Sequence, residues 1–196
     1  MILSILIPTT IDRRAMFQKL REELVKQIYA CKYPYLVEIL HEEDNREISV
    51  GAKRQNLISK AKGRYVVHID SDDWPSNQYV ASILKATEER PDCIGFMIAC
   101  DMEGKHVMAS ASNKYEDWRE DVDGFKYVRT IYHKTPVLRE HALKIGFKDM
   151  RFREDYDFSK RLKESGLLKK EVQSFTFRDA IRDSFLARFP AFKHST

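Results

Sequence analysis

Short apolar runs alternate with longer amphipathic segments along the first half of the chain. In one such segment Phe17, Leu20 and Leu24 recur at helical spacing, which gives the predicted helix an apolar face. The apolar runs have the length and composition of buried strands. Strands are predicted at Ile2–Ile7, Leu36–His41, Arg64–Ile69 and Cys93–Cys100, and helices at Arg14–Tyr29, at a segment ending near Lys62, and at Asn77–Glu89. This alternation predicts an α/β fold with a mostly parallel central sheet flanked by helices.

The second half of the chain does not keep this alternation. Residues Asp101–Lys134 have the pattern of antiparallel strands and loops, and helices are predicted again at Arg139–Ile145 and Tyr156–Glu164. The 196 residues, 43% of them hydrophobic, suffice for one core, and 7 Gly, 6 Pro and no repeat give no sign of a linker. We therefore expect one domain, residues 1–196, with a small antiparallel part.

Positive charge is concentrated in the last quarter of the chain. Residues 1–150 carry 23 Lys/Arg and 23 Asp/Glu, whereas residues 151–196 carry 11 and 7, so that the net charge of +4 lies in this region. Its cations are interleaved with phenylalanines such as Phe177 and Phe185. Two interpretations are open: a surface for an anionic partner, or a solvated helix face over core aromatics.

Cysteine content and hydropathy bear on location. Cys31, Cys93 and Cys100 match neither a zinc site nor a disulfide framework, which favours reduced thiols in a cytoplasmic protein. No apolar run reaches the length of a membrane span, and the apolar start of the chain is too short for a signal peptide. We therefore expect a cytoplasmic protein with no membrane span.

Three carboxylates follow the third predicted strand. Asp70, Asp72 and Asp73 come directly after its buried run and should lie at the carboxyl end of the strand, where ligands bind in open α/β sheets. Like charges so close together are costly unless a cation lies among them, and Mg²⁺ or Mn²⁺ with substrate phosphates is suited to such a site. A polar loop with an aspartate helix cap is the alternative interpretation.

Three blocks of sequence, in order, carry a family resemblance. They are Ile5–Thr10, the pair of segments Gly51–Asn56 and Ala61–Asp73, and Glu154–Phe158. Together they resemble a family 2 glycosyltransferase of the GT-A fold. The resemblance implies a nucleotide-sugar-binding half at residues 1–100 and an acceptor-side half at residues 101–196. It also implies a hexosyl- or pentosyltransferase, with a UDP-sugar favoured as donor.

The resemblance assigns donor-binding residues. Thr9 matches the contact to the nucleotide base, and Asp44 matches the acid after the second strand, although Glu43 could hold that place. Arg54 corresponds to an arginine that contacts donor base or phosphate, and Asp70 to a contact with ribose or metal. A solvated loop acid and a helix-surface cation are the alternative interpretations of Asp44 and Arg54.

The resemblance also assigns a metal site. Asp70 and Asp72 match the family's Asp-x-Asp pair, with Asp72 the direct ligand of Mn²⁺ or Mg²⁺ and Asp73 a helix cap or a neighbour of the ligands. His133 is similar to a histidine that some members add to the metal or diphosphate. Taken without the resemblance, a lone histidine is more often a core or surface residue.

Glu154 and Asp155 resemble the Glu-Asp pair that supplies the catalytic base of inverting members. An acceptor hydroxyl is a poor nucleophile at neutral pH, and a carboxylate that takes its proton supplies the missing reactivity. The resemblance gives this role to Asp155, with Glu154 orienting the acceptor or backbone. The alternative is an acidic helix start that favours the helix dipole. Many relatives have glycine before the pair, whereas Arg153 stands here.

Two other classes are weighed against this hypothesis. A nucleotidyltransferase would also place aspartates at a strand end, but the segment after the first strand has no glycine-rich loop. A non-catalytic module that binds nucleotide sugars would be expected to lack one of the acids, and none is missing. The acceptor stays open between a glycan, a small molecule and a hydroxymethylated base in phage DNA, and the oligomeric state is not indicated.

Overall fold

A mixed β-sheet forms the centre of the computed structural model, which describes residues 1–102 and 105–175. Side chains are described for all of these except 100–102, 105, 106 and 175. The strands are β1 Leu3–Thr10, β2 Val37–Asp44, β3 Tyr65–His68, β4 Cys93–Met102, β5 Lys105–Ala111, β6 Arg119–Val122, β7 Phe125–Arg129, β8 Val137–Leu138 and β9 Glu171–Phe175. The helices are α1 Arg14–Ala30, α2 Val50–Lys60, α3 Tyr79–Thr87, α4 Arg139–Ile145 and α5 Glu154–Glu164, with short 3₁₀ turns at Ile11–Arg13 and Pro34–Leu36.

The strands lie in the order β2-β1-β3-β8-β4-β5-β7-β6, and β9 pairs with β4. Strand β1 is parallel to both β2 and β3, so the carboxyl ends of these three strands meet at one edge of the sheet. Strand β8 is antiparallel to β3 and β4, β5 is antiparallel to β4, and β6 is antiparallel to β7. Strand β7 is parallel to β5, and β9 is parallel to β4. The predicted α/β fold is confirmed, with a parallel first half and a mixed second half.

Element bounds differ from the prediction at three places that concern the candidate site. Strands β1 and β2 run on to Thr10 and Asp44, so that Thr9 and Asp44 lie within strand ends. Helix α5 begins at Glu154, two residues before its predicted start. Strand β9 was not predicted. Residues 176–196, which include most of the phenylalanines of the basic quarter, lie outside the described residues.

Two apolar layers cover the two faces of the sheet. Side chains of a strand alternate between faces, and accordingly Ile5 and Ile7 pack in one layer with α1 and α3, while Leu6 packs in the other with α2. The predicted apolar face of α1 is buried in the first layer. Burial on both faces explains why β3 consists of apolar residues and one buried histidine, His68.

Helix α2 lies unusually close to the loop that precedes α5. A Cβ atom at Gly51 would collide with the carbonyl oxygen of Lys148, and the Gly51 N–H donates a 3.1 Å hydrogen bond to the carbonyl of Met150. Ser49 caps the helix by accepting a 3.0 Å hydrogen bond from the Ala52 N–H. Glycine at this position therefore allows α2 and the start of α5 to approach each other, which matters for the site described below.

Within residues 1–102 and 105–175, none of the helices has the length and apolar character that crossing a bilayer would require.

Candidate active site

The carboxylates of Asp70, Asp72 and Asp73 lie together at the carboxyl end of β3. One oxygen from each lies within 4.8 Å of the others. Asp73 is buried, Asp70 is partly buried and Asp72 is exposed. The backbone makes this possible because the chain turns directly after the strand, with the Asp73 N–H donating a 2.9 Å hydrogen bond to the Asp70 carbonyl. Asp73 lies six residues ahead of α3 and does not cap that helix.

Three cations contact the cluster. The ammonium of Lys134 lies 2.7 Å from Asp70 Oδ2 and 2.9 Å from Asp73 Oδ2. Arg54 Nη2 lies 2.9 Å from Asp70 Oδ1, and Arg13 Nη1 lies 3.2 Å from Asp72 Oδ2. Burial alone would raise the pKa of Asp70, but Lys134 and Arg54 outweigh it and hold that pKa well below its ordinary value. Asp70 is therefore a carboxylate at neutral pH.

Arg54 links the cluster to the start of α5. Its side chain is buried, and its Nε lies 3.2 Å from Glu154 Oε1 while its Nη2 contacts Asp70. Burial raises the pKa of Glu154, opposed by the charge of Arg54. The close approach of α2 at Gly51 brings these groups together across 100 residues of sequence. The predicted helix-surface alternative for Arg54 is thus wrong, and its predicted contact with donor stays a prediction.

His133 lies between Asp70 and Asp155. Its Nε2 is 3.5 Å from Asp70 Oδ2 and its Nδ1 is 3.7 Å from Asp155 Oδ2, both longer than an ordinary hydrogen bond. Burial, reinforced by the positive charge of Arg54, lowers the pKa of His133 to about 4. The imidazole is therefore neutral at neutral pH. It lies between Asp70 of the acidic cluster and Asp155, the predicted base.

Because the His133 imidazole is buried and neutral, we expect the free energy of unfolding to fall in mild acid. The pKa of His133 is about 4 in the folded protein, below the ordinary value of 6.5. Between these two pH values the imidazole is protonated in the unfolded chain but neutral in the folded protein. The contribution of His133 to the free energy of unfolding should be full above about pH 6.5 and should fall by about 2 kcal/mol between about pH 7 and pH 5. Urea unfolding of the wild type and of His133→Gln at both pH values measures the difference. An equal pH dependence in the two proteins would contradict the assignment.

Two clefts meet at Asp70. The first, of about 410 Å³, runs along the ends of β1 and α2, and the second, of about 460 Å³, opens toward α5. Asp70, Val50, Arg151 and Phe152 border both. The first cleft is also lined by Pro8, Thr9, Thr10, Arg13, Arg46, Ile48, Lys53 and Ser71. The second is also lined by Arg54, Trp118, Tyr127, Arg129, Tyr132, His133, Lys134, Arg153, Glu154 and Asp155.

Thr9 lines the first cleft, and Asp44 contacts Lys53, which lines it as well. The buried ammonium of Lys53 donates a 2.7 Å hydrogen bond to the Thr9 carbonyl and contacts Asp44 Oδ1. Asp44 also accepts hydrogen bonds from the N–H groups of Arg46 and Ile48, at 3.1 and 2.8 Å. The Thr9 hydroxyl is buried and makes no hydrogen bond among the described residues. Asp44 therefore holds the loop after β2, and Thr9 lines the cleft with its hydroxyl turned away from solvent.

The second cleft has aromatic walls. Trp118 is held by a 3.1 Å hydrogen bond from its Nε1–H to the Ser159 hydroxyl, and its ring meets that of Tyr156 edge to face. The guanidinium of Arg129 lies over the rings of Trp118 and Tyr127 at 4.6 and 4.5 Å. Arg153 has a left-handed backbone (φ 61°) directly before α5.

The oxygen ligands of the acidic cluster are compatible with a hard divalent cation. Mg²⁺ and Mn²⁺ prefer carboxylate oxygens, and such an ion commonly takes one or two of them and completes its shell with phosphate and water. Asp70 and Asp72 present oxygens of this kind beside the first cleft. His133 reaches the group through its contact with Asp70. The chemistry of the donor set thus fits the predicted ion.

The structure brings the eight predicted site residues into one place. Each of them borders one of the two clefts or contacts a residue that does: Thr9, Asp44, Arg54, Asp70, Asp72, His133, Glu154 and Asp155. Sequence reasoning missed the buried Lys53, the wall residue Trp118 and the shared border of Arg151 and Phe152. The available signals were a lysine directly before Arg54 in the block Gly51–Asn56 and the pair Arg151-Phe152 shortly ahead of Glu154.

The geometry defines an α/β protein whose acidic site lies at the carboxyl edge of its parallel strands, at the meeting of two clefts. The sequence model described as glycosyl transferase family 2 matches residues 19–151, more than half of the chain. The chain belongs to this family.

Individual proteins are similar to this chain, either over a shorter segment or at lower sequence identity. EpsH of Bacillus subtilis (strain 168), whose name assigns it to the glycosyltransferases, is 25% identical over 96 residues, which are 48% of this chain and 26% of EpsH. The structure of S. aureus TarS 1–349 in complex with UDP-GlcNAc superposes with a TM-score of 0.59 at 15% identity, covering 93% of this chain and 60% of that one. TarS 1–349 in complex with UDP gives 0.58 at 16% identity, with 90% and 60% covered. The chain thus spans about a quarter of EpsH and 60% of TarS 1–349, and the TarS likeness shows the GT-A-like fold.

Proposed function

We propose that this protein transfers a sugar from a nucleotide-sugar donor to an acceptor hydroxyl. The observation that carries the proposal is the meeting of two clefts at Asp70, with Asp155 on the wall of the second. Two substrates that enter by separate clefts would react where the clefts join. Family membership supports sugar transfer, and the complexes of TarS with UDP-GlcNAc and UDP favour a uridine diphosphate donor.

The first cleft suits the nucleoside diphosphate. Arg13, Arg46 and Arg151 line it and offer positive charge to a diphosphate. Thr9 lines this cleft, where the predicted contact with base or ribose would fall. The bond between Lys53 and the Thr9 carbonyl holds this strand end in place.

Asp70 and Asp72 would hold a Mn²⁺ or Mg²⁺ ion, which when bound offsets the negative charge that develops on the departing nucleoside diphosphate. Arg54 orients Asp70 through the hydrogen bond that its Nη2 donates to Asp70 Oδ1. Arg13 fixes the exposed carboxylate of Asp72 at the mouth of the first cleft.

Asp155 is the proposed general base of an inverting reaction. As the acceptor oxygen attacks the anomeric carbon, Asp155 takes its proton, and the bond between sugar and diphosphate breaks on the opposite face. With Nε2 as a ligand of the ion beside Asp70, the neutral His133 would carry its proton on Nδ1, on the side of the Asp155 carboxylate. Glu154 is held by Arg54 and positions the first turn of α5.

The acceptor is proposed only as a hydroxyl compound that can stack on aromatic side chains. Trp118 and Tyr127 line the second cleft beside Asp155 and could contact a sugar ring or a base. Glycan, small molecule and hydroxymethylated DNA base all stay predictions, and residues 176–196 of the basic quarter lie outside the described residues. A cytoplasmic location likewise stays a prediction from cysteine content.

Nucleotide binding tests the proposal. We expect UDP to bind at least tenfold more tightly with Mn²⁺ than without, and Asp72→Asn to remove that gain, since the variant loses one charged ligand while keeping a similar shape. Isothermal titration of UDP with and without Mn²⁺ measures both effects. Asp121→Asn, which changes another exposed carboxylate that pairs with Lys126, is the matched control and should behave as wild type. Equal UDP affinity with and without Mn²⁺ in the wild type would refute the metal role.

A further inference from the structure

Lys134 occupies an unusual position for a residue beside a metal-binding cluster. Its ammonium bridges two of the three carboxylates, at 2.7 Å from Asp70 Oδ2 and 2.9 Å from Asp73 Oδ2. The side chain is 15% exposed, and that of Asp73 is 1% exposed. The contact is therefore a largely buried charge pair with short distances, unlike the exposed pair between Arg13 and Asp72.

The backbone of Lys134 is fixed while its side chain has room to turn. The Tyr132–Thr135 turn is closed by a 3.0 Å hydrogen bond from the Thr135 N–H to the Tyr132 carbonyl, and the Thr135 hydroxyl makes two further bonds to Tyr132. Lys134 also lines the second cleft. An ammonium that leaves the carboxylates would therefore have this cleft beside it, while the turn keeps its place.

A divalent ion and this ammonium would need the same oxygens. The ion requires lone pairs of Asp70 and its neighbours at about 2.0–2.2 Å, and two cations sharing one carboxylate oxygen repel each other. The buried Nε2 of His133, which faces Asp70 and has no hydrogen-bond partner among the described residues, adds a ligand on the same side of the cluster. Arg54 contacts Asp70 Oδ1 and Arg13 contacts Asp72, so the place between Asp70 Oδ2 and Asp73 Oδ2 is the one for which Lys134 and the ion compete.

We propose that Lys134 is a tethered cation that neutralises Asp70 and Asp73 until a divalent metal ion displaces it. The proposal rests on the metal-dependent function proposed above. It gives Lys134 two states. With the site free of metal, the ammonium offsets the cost of the nearly buried Asp73 carboxylate. With metal bound, the side chain lies in the second cleft, which Asp155 also lines.

Metal affinity without nucleotide provides the first test. If Lys134 holds the carboxylates in at least nine-tenths of the molecules, removing the ammonium should tighten Mn²⁺ binding about tenfold or more. We expect this for Lys134→Met, measured from the electron paramagnetic resonance of free Mn²⁺. Lys60→Met, which removes one exposed lysine that pairs with Glu42, changes the net charge equally and should stay within about twofold of wild type. Affinity in Lys134→Met that equals or falls below wild type overturns the proposal.

Thermal unfolding guards against a variant that is merely unstable. Metal-free Lys134→Met should unfold at a lower temperature than wild type, because Asp73 loses its cation, and Mn²⁺ should raise its midpoint by more than it raises that of wild type. If Lys134→Met does not fold, Lys134→Gln, which keeps a hydrogen-bond donor, takes its place in both measurements. A smaller Mn²⁺ effect in the folded variant than in wild type counts against displacement.

Chemical labelling of the wild type tests whether the metal ion moves the Lys134 ammonium away from Asp70 and Asp73 or only repels it where it lies. Acetylation of Lys134, read by mass spectrometry, should be slow without metal and several-fold faster at saturating Mg²⁺, while Lys60 labelling stays constant. Unchanged Lys134 labelling at saturating Mg²⁺ would show that the ammonium keeps its place and would overturn the proposal. None of these measurements uses donor or acceptor, so a failure of the displacement model is distinguishable from a failure of the transferase proposal.

Discussion

Replacing Asp155 with asparagine should lower the turnover number by about 10²–10⁴ while donor affinity changes little. The amide cannot take the proton of the acceptor hydroxyl, but Asp155 lies in the second cleft and lines no part of the first, where the nucleotide is proposed to bind. Steady-state kinetics with varied donor and acceptor, together with calorimetric titration of UDP, separate the two quantities.

Glu164→Gln is the matched control for this prediction. Glu164 lies at the other end of α5 and is exposed, so its neutralisation changes the charge of the same helix away from the clefts. A turnover number for Asp155→Asn within a few-fold of wild type would remove Asp155 from the mechanism. The anomeric configuration of the product, read by NMR, tests inversion independently.

Arg54→Met should destabilise the protein by about 3–5 kcal/mol, because it leaves the buried Glu154 carboxylate without its cation and takes one of two cations from Asp70. Chemical denaturation measures the change in the free energy of unfolding. The double variant Arg54→Met/Glu154→Gln should recover part of the loss, since it removes the stranded charge of Glu154.

The exposed pair of Arg14 and Glu43 provides the comparison. Its distance of 2.6 Å is shorter than either contact of Arg54, yet water screens it, and Arg14→Met should leave the unfolding midpoint nearly unchanged. If Arg54→Met were as stable as Arg14→Met, the buried network would carry no net stabilising energy and the link between α2 and α5 would need another explanation.

The sequence predicts the elements that carry the site better than the contacts between them. The apolar run before Asp70 identifies a buried strand, and the alternation of strands and helices identifies the edge where the acids lie. The role of Glu154 and Asp155 came from the resemblance, because an acidic start is also an ordinary feature of a helix such as α5.

Contacts between distant residues account for most of what sequence reasoning could not reach. The bond between Arg54 and Glu154 joins residues 100 positions apart, and the bridge from Lys134 to Asp70 and Asp73 joins a turn to a strand end. No local pattern specifies such pairs. Strand β9 escaped prediction for a related reason: it is only five residues long, and its place in the sheet depends on pairing with β4.

The central claim is that the acidic site acts on nucleotide sugars, and product analysis with a panel of donors tests it most directly. The protein is incubated with UDP-, GDP- and dTDP-sugars and, separately, with nucleoside triphosphates and sugar phosphates, all with Mn²⁺. We predict release of nucleoside diphosphate from at least one sugar nucleotide, most readily a UDP-sugar, and its loss in Asp72→Asn. Pyrophosphate release from the triphosphates, with no nucleoside diphosphate from any sugar nucleotide, would contradict the account and indicate a nucleotidyltransferase.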